Sequence, residues 1–576
     1  MDTITTFKSF KDLKVNLKKD SSSFPVVKVA LIGDTATQFL AVALKGMAIE
    51  RGLSLDFFEA EYNQIEYQVM DPGSELHQFG ADYTIFFQST HKFLEKFNKT
   101  KPEERNGIAD DRIAFVGMIC QSISGKIVYY NYPEIDDVVF GNLANQVKES
   151  FVYQTRKFNF ELMNLAQRVP DLYICDLASI QNQIGRVAMF DAPIYTSTEM
   201  VLTIDALPMI ASRTMDIICA AKGYFKKCVI LDLDNTLWGG IIGDDGLEGI
   251  QLGHGLGNGK AFIEFQQWIK KLQERGIIIA IDSKNTESIA KEPFEKHPEM
   301  VLHLDDIAVF IANWENKADN IRRIQSILNI GFDSMVFLDD NPFERNMVRE
   351  NIPEVLVPEL PEDPADYLEF LYGLNLFETV TYSTGDKERT KQYQVESKRI
   401  LTQTNFANES EFLKSLDMVS VVEGFTKFNT PRVAQLTQRS NQFNLRTVRY
   451  TEGDIERLEN DKESHCFSFT LEDKFGDNGL IAVVIMKTFD NESLFIDTWL
   501  MSCRVLKRGM EEFTLDTIVK YAKTAGFKKI IGEYIPTAKN EMVADHYLKL
   551  GFEPIDNRYV LEINNYKPIE SFIKKI

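Results

Sequence analysis

Long apolar runs are missing from this 576-residue chain. No stretch approaches the roughly 18 uninterrupted apolar residues that a membrane-spanning helix needs. The first twenty residues alternate Lys, Asp and Phe without the apolar centre of a secretory signal, so no membrane partner is expected. Cysteine is scarce: the six, at 120, 175, 219, 228, 466 and 503, show neither C-x-x-C metal spacing nor a compact disulfide framework, which suits a reducing cytoplasm. Histidine is nearly as rare, and His254, His465 and His546 stand isolated, which reads as structural hydrogen bonding rather than metal ligation. Positive charge is in deficit, 64 Lys+Arg against 85 Asp+Glu for a net charge of −21, so the overall field repels nucleic acid. Tandem repeats and low-complexity segments are absent as well.

What is present is ordinary globular material, 44% hydrophobic and 26% charged. The length calls for several cores. Short β-branched runs at 26–32 and 228–233, each followed by turn residues, predict buried parallel strands. In the first region, strands are expected at 26–32, 53–58, 83–88 and 112–116, alternating with helices up to about residue 222. A second cycle has strands at 228–233, 277–281 and 335–338 and a helix over 260–274. Pro353, Pro358, Pro361 and Pro364 then mark a linker or an irregular domain edge. A charged connector helix around Asp386 to Asn405 leads to an α+β region with strands at 417–425, 465–471, 481–488 and 493–501 and a helix from Arg508.

The chemistry concentrates at strand ends. Asp232 and Asp234 stand at positions i and i+2 where the buried strand that begins at Cys228 ends, the place at which open α/β sheets bind ligands. By itself such a pair is most often a solvated turn. Two further strands, however, end at Ser283-Lys284-Asn285 and at Asp339-Asp340-Asn341, and Lys317 lies between them. These four ordered segments resemble the motifs of haloacid dehalogenase-type phosphotransferases. The resemblance implies Asp232 as nucleophile, Asp234 as general acid/base, and Ser283 and Lys317 as holders of the phosphoryl group. It also implies Mg²⁺ on Asp232, Asp234 (through its carbonyl), Asp339 and Asp340, and Thr236, Ser283, Lys284, Asn285 and Asn341 at the phosphate or substrate. Only residues 238–258 separate the first motif from its helix, and their glycines suit a flap rather than a folded cap. A phosphate-cradling loop is the alternative, but no Walker lysine–serine pair follows.

The wording from Leu231 to Gly246, together with Ser283-Lys284-Asn285, the stretch from Asn341 to Arg345 and the stretch from Gln438 to Asn444, is similar to the FkbH-like family. That resemblance implies action on a small, three-carbon phosphorylated metabolite such as 1,3-bisphosphoglycerate. It also implies transfer of a glyceryl-type acyl group to the phosphopantetheine thiol of an acyl carrier protein, in polyketide-like or surface-polysaccharide chemistry. In glyceryl-transferring members a cysteine precedes the Ser-Lys-Asn segment and holds the acyl group; here Asp282 stands there. The rivals are a free-standing Mg²⁺-dependent phosphatase and a non-catalytic scaffold.

The expected architecture is therefore multidomain α/β: an N-terminal extension (1–26), a flavodoxin-like SGNH-hydrolase-like domain (27–222), a Rossmann-like haloacid dehalogenase domain with a minimal cap (223–385), and a connector helix with an α+β GNAT-like acyltransferase domain (386–576). The first domain resembles SGNH hydrolases at Gly33-Asp34-Thr35, but near Asp205 it lacks the Asp-x-x-His base, so it is expected to be degenerate. The last resembles acyl-CoA N-acyltransferases, making Arg504, Lys507, Arg508, Gly509 and Tyr547 candidates for acyl-CoA or phosphopantetheine binding, with Asn540 and Gly551-Phe552 completing the likeness. Lys507 takes a place where that pattern prefers glycine. For an acidic carrier protein, Lys507, Arg508, Lys528 and Lys529 are the candidate basic patch.

Overall fold

The computed structural model describes residues 8–576 except 256, 383–388, 404–407 and 538. The described chain is mixed α/β and forms two compact units, residues 6–221 and 222–576. In the first, β1 (Val26–Gly33), β2 (Ser54–Glu59), β3 (Tyr83–Phe87), β4 (Lys126–Tyr130) and β5 (Leu172–Cys175) form an all-parallel sheet in the order β2-β1-β3-β4-β5. Parallel strands need crossovers, and the helices that supply them cover the sheet, so β3 is buried along its whole length. Part of the expected N-terminal extension belongs to this unit. The helix Phe10–Asn16 lies against Gln38–Glu50, with Asn16 Nδ2 donating to Gly46 O at 3.2 Å.

One strand expectation fails here. Residues 112–116 lie inside the helix Ile108–Ser122, and β4 begins only at Lys126. The buried positions Ile108, Ala109, Val116 and Ile119 recur at helical spacing, and Asp110 and Asp111 sit in the first turn, where the helix dipole favours acids. A five-residue apolar window could not distinguish the two periods.

The second unit holds two sheets. β6 (Cys228–Leu231), β7 (Ile278–Ser283), β8 (Ile307–Ala312) and β9 (Met335–Leu338) are all parallel in the order β8-β7-β6-β9, which puts β6 in the middle. The proline-rich stretch is a domain edge: Leu356 runs beside β9, with Phe337 N donating to Leu356 O at 2.9 Å. The flap is small, a Gly239/Gln251 bridge and the short helix Ile242–Gly249, kinked where Gly246 takes φ 65°.

The connector is the helix Arg389–Gln403; Asp386 and Asn405, and with them the expected boundary at 385/386, lie outside the described residues. The remaining sheet consists of β10 (Val419–Ser420), β11 (Val422–Glu423), β12 (Ser464–Asp473), β13 (Gly476–Asp490), β14 (Ser493–Met501), β15 (Lys529–Gly532), β16 (Glu553–Ile555), β17 (Arg558–Glu562) and β18 (Lys574–Lys575). It is mainly antiparallel but pairs β14 with β15 in parallel. The strand expected over 417–425 is broken into β10 and β11, and the helix expected from Arg508 starts at Met510. Among the described residues no helix is long and apolar enough to cross a membrane.

Candidate active site

Three strands of one parallel sheet finish at the same edge because β6 pairs in register with β7 and β9 (Leu231 opposite Ile281 and Leu338). Their apolar residues are fully buried, so the chain turns polar only on leaving the sheet, at Asp232 after β6 and at Asp339 after β9. Asp232 N donates to Leu338 O at 3.0 Å, fastening the two exits together. As a result Asp232, Asp339 and Asp340 each offer a carboxylate oxygen, all within 4.8 Å of one another.

Lys317 opens the helix Lys317–Leu328 and points into this cluster, 2% exposed, its Nζ 2.8 Å from Asp232 Oδ1 and 2.5 Å from Asp339 Oδ2. Burial works against its charge, but Asp232, Asp339 and Asp282 outweigh that and hold the ammonium above its ordinary range. One cation does not neutralise three carboxylates. Burial, then the neighbouring Asp232 charge, pushes Asp339 up to about 7 and Asp340 up to about 6. Hard oxygen ligands, excess negative charge and close spacing together make a set that fits a small divalent cation.

The Asp234 carboxylate is not one of the three that meet here. Its Oδ1 accepts from Trp238 Nε1 at 2.9 Å and Ile242 N at 3.0 Å, and its Oδ2 from Asn285 Nδ2 at 2.8 Å. The left-handed turn at Asn235 (φ 54°) re-aims the chain just after it. Burial raises the Asp234 carboxyl from its usual range despite these donors. Asn285 therefore holds the acid in place rather than standing free for substrate. Buried Thr236 exchanges hydrogen bonds with Asp340: its Oγ1 donates to Oδ1 at 3.3 Å and accepts from Asp340 N at 3.2 Å. Ser283, 1% exposed, ends β7 at the same edge.

Two of the expected substrate contacts are occupied by the protein itself. Lys284 Nζ meets Glu344 Oε1 at 2.5 Å, and Asn341 caps the helix Pro342–Asn351 by accepting from Phe343 N at 2.9 Å. Two contributors had not been assigned roles. Arg345, 3% exposed, donates from Nη1 to the carbonyls of Asp339 at 2.8 Å and Asp340 at 2.7 Å, locking the acidic turn. Asn320 donates to Asp282 Oδ1 at 3.0 Å. Asp282 is wholly buried, its Oδ2 has no partner among the described residues, and burial pushes its carboxyl up to about 7. The family-type stretch from Asn341 to Arg345 was the signal in the sequence for the first; nothing signalled the second.

The other candidates behave differently. In the first unit, both Asp34 oxygens accept from Ser89 N, at 2.9 and 3.0 Å, Thr35 Oγ1 is buried without a partner among the described residues, and Asp205 is exposed. In the C-terminal sheet, Arg508 is 5% exposed and bonded to Glu396 and to Asp473 (3.3 Å), so it cannot serve a surface basic patch. Lys528 and Lys529 pair with Glu492 and Glu562. Arg504 is buried against Gln392, and Tyr547 is fully buried, its ring stacked 5.2 Å from that of Tyr559. Lys507 takes φ 61° and Gly509 φ 78°, so the position where the acyltransferase pattern has glycine is left-handed and strained for lysine.

An all-parallel sheet with strand-end aspartates around a buried lysine defines a haloacid dehalogenase-type phosphatase domain. The family model "FkbH, N-terminal domain" matches residues 28–219. The crystal structure of the N-terminal part of protein BF1531 from Bacteroides fragilis, containing a phosphatase domain complexed with Mg, is 62% identical and covers 65% of this chain and 100% of that one, with a TM-score of 0.64. The chain belongs to the FkbH-like family. Fainter likenesses include the ribosomal-protein-S18-alanine N-acetyltransferase from Escherichia coli (14% identity, 25% of this chain and 94% of that one, TM-score 0.20). Another is a spermidine N-acetyltransferase from Vibrio cholerae (13% identity, 25% and 96%, TM-score 0.21). No curated protein matches the chain.

Proposed function

We propose that the chain is a Mg²⁺-dependent phosphohydrolase or phosphotransferase that works through an aspartyl-phosphate at Asp232. The observation that supports this most directly is the convergence of Asp232, Asp339, Asp340 and Lys317 on one buried point. Asp232, Asp339 and Asp340 would hold the cation, which supplies charge neutralisation for an anionic phosphoryl group. An Asp232 oxygen attacks phosphorus and the bond to the leaving oxygen breaks, with Asp234 donating a proton to that oxygen. Asp234 then takes a proton from water, which attacks the same phosphorus and releases phosphate and free Asp232. Trp238, Ile242 and Asn285 keep Asp234 aimed while its proton moves.

The small flap leaves the site open, which suits a phosphorylated metabolite that is handed on rather than sealed in. The finer reading is an acyl phosphate whose glyceryl-type acyl group passes to an acyl carrier protein in the cytoplasm. Asp282 cannot form the cysteine thioester of other members, so the carrier thiol would have to attack the acyl carbon directly, expelling the acyl-linked phosphate as inorganic phosphate, while Asp232 takes the phosphoryl group of the ester-linked phosphate.

The test is phosphate release from 1,3-bisphosphoglycerate with Mg²⁺ and a carrier protein, followed by intact mass of the carrier. Asp232-dependent phosphate with a glyceryl mass gain supports both readings, and phosphate alone supports only hydrolysis. Release that persists undiminished in Asp232→Asn overturns the assignment.

A further inference from the structure

Residues 222–576 contain a cavity of about 460 Å³ at the amino ends of β6, β7 and β9, lined there by Lys227, Ile278 and Ser334. That is the opposite edge of the sheet from Asp232 and Asp339. The four residues of β6 separate the two edges by roughly 13 Å at the usual strand rise. The facing wall comes from Arg439 to Phe443, within the family-type stretch that has no role in the site above, and from the exit of β14 at Met501 to Arg504. Its size falls in the range of ordinary small-molecule pockets.

Its charge runs against that of the chain. The wall carries six basic residues and two acidic ones, Asp333 and Glu354, in a protein of net charge −21. Asp333 is bonded to Lys539. Lys227 Nζ donates to the carbonyl of Arg439 at 2.7 Å. Arg504, 7% exposed, donates to Ser502 Oγ at 3.3 Å and to Gln392. Among the described residues neither cation is in a salt bridge with a carboxylate. Arg504 is buried and Lys227 half-buried, and cations withdrawn from water that meet only neutral acceptors are costly; the usual relief is a counter-anion. Burial pushes the Lys227 ammonium down to about 8, in keeping with that poor compensation. Ile278, Leu436, Phe443 and Met501 supply apolar surface beside the cations.

We propose that this cavity is a second ligand site, which binds an organic phosphate with its dianionic head at Lys227 and Arg504 and its apolar body against Ile278, Phe443 and Met501. A dianion matches the excess of positive charge better than a carboxylate, and arginine's planar fork suits phosphate oxygens. The site is independent of the chemistry at Asp232 and fits an effector or a second substrate.

The experiment is calorimetric titration of phenyl phosphate, and separately benzoate, into the full chain carrying Asp232→Asn, in EDTA so that the acidic site is silent. Phenyl phosphate is expected to bind, benzoate at least tenfold more weakly, and Lys227→Met or Arg504→Gln to lower phenyl phosphate affinity at least tenfold. Lys227→Met removes a poorly compensated cation, so its unliganded melting temperature should equal or exceed that of its parent. It therefore carries the test if Arg504→Gln misfolds. Placed in the otherwise native chain, Lys227→Met should leave Mg²⁺-dependent hydrolysis of p-nitrophenyl phosphate unchanged. Absence of phenyl phosphate binding, equal binding of benzoate, or unchanged affinity in Lys227→Met overturns the proposal.

Discussion

The two all-parallel sheets of this protein, β1–β5 and β6–β9, each deliver an aspartate from the end of a buried strand, yet among the described residues only the second gathers three carboxylates around it. Asp34, after β1, is buried and held by the amide of Ser89, a neutral donor. Asp232, after β6, meets two more carboxylates and the ammonium of Lys317. The same architecture gives a carboxyl held by one backbone amide in one place and a carboxylate cluster around a lysine in the other. The difference lies in what the neighbouring strand and helix bring to the edge, which is why fold by itself does not assign chemistry.

The sharpest way to break this comparison is to neutralise each aspartate in turn. Asp232→Asn is expected to lower Mg²⁺-dependent phosphate release by at least about 10³-fold, as loss of an acid, base or nucleophile generally does. Asp34→Asn should leave the rate within about twofold, as expected for a residue outside the reacting groups. Comparable losses in a p-nitrophenyl phosphate assay would erase the distinction.

Next in size is Lys317→Met, which strands Asp232 and Asp339 without their counter-charge. Removing one partner of a buried ionic cluster typically costs about 3–5 kcal/mol, so urea unfolding of the metal-free variant should show a loss of that order. Added Mg²⁺ should restore part of it. An unchanged midpoint would mean that the cluster is better hydrated than its burial implies.

The smallest effect sharpens the other side. Burial pushes Asp34 up to about 7, above its ordinary value near 4. Between those values the folded state binds more protons than the unfolded one. This contribution to stability is therefore full below pH 4 and lost as pH rises through 7. Asp34→Asn should match wild type near pH 4 and exceed it by up to about 4 kcal/mol at pH 8. A pH-independent difference would show that the carboxyl is ionised throughout.

Much of the catalytic edge was legible because it is local. Apolar runs that stop abruptly at Asp232, Asp282 and Asp339 announce strand ends, which parallel crossovers bring to one edge of the sheet. The helix Ile108–Ser122 was misread because a short apolar window satisfies both periods, and only packing against both neighbours settles it. Arg508 is a candidate for a basic patch in the sequence, yet Glu396 and Asp473 draw it inside. Ion pairs between residues 35 or 112 positions apart leave no local trace.

The sequence by itself determined the strand-end acids, the lysine among them and the minimal flap, because periodicity and motif spacing are properties of neighbouring residues, and the wording of its motifs carried the family resemblance. Only the tertiary structure decided that Trp238, Ile242 and Asn285 hold the Asp234 carboxylate beside the carboxylate cluster, that Arg345 clamps the acidic turn, that Asp282 is a buried carboxyl with one oxygen unpartnered among the described residues, and that six basic residues surround an apolar cavity at the far edge of the sheet. Burial and long-range charge pairing set those outcomes, and both arise only when distant segments fold onto one another.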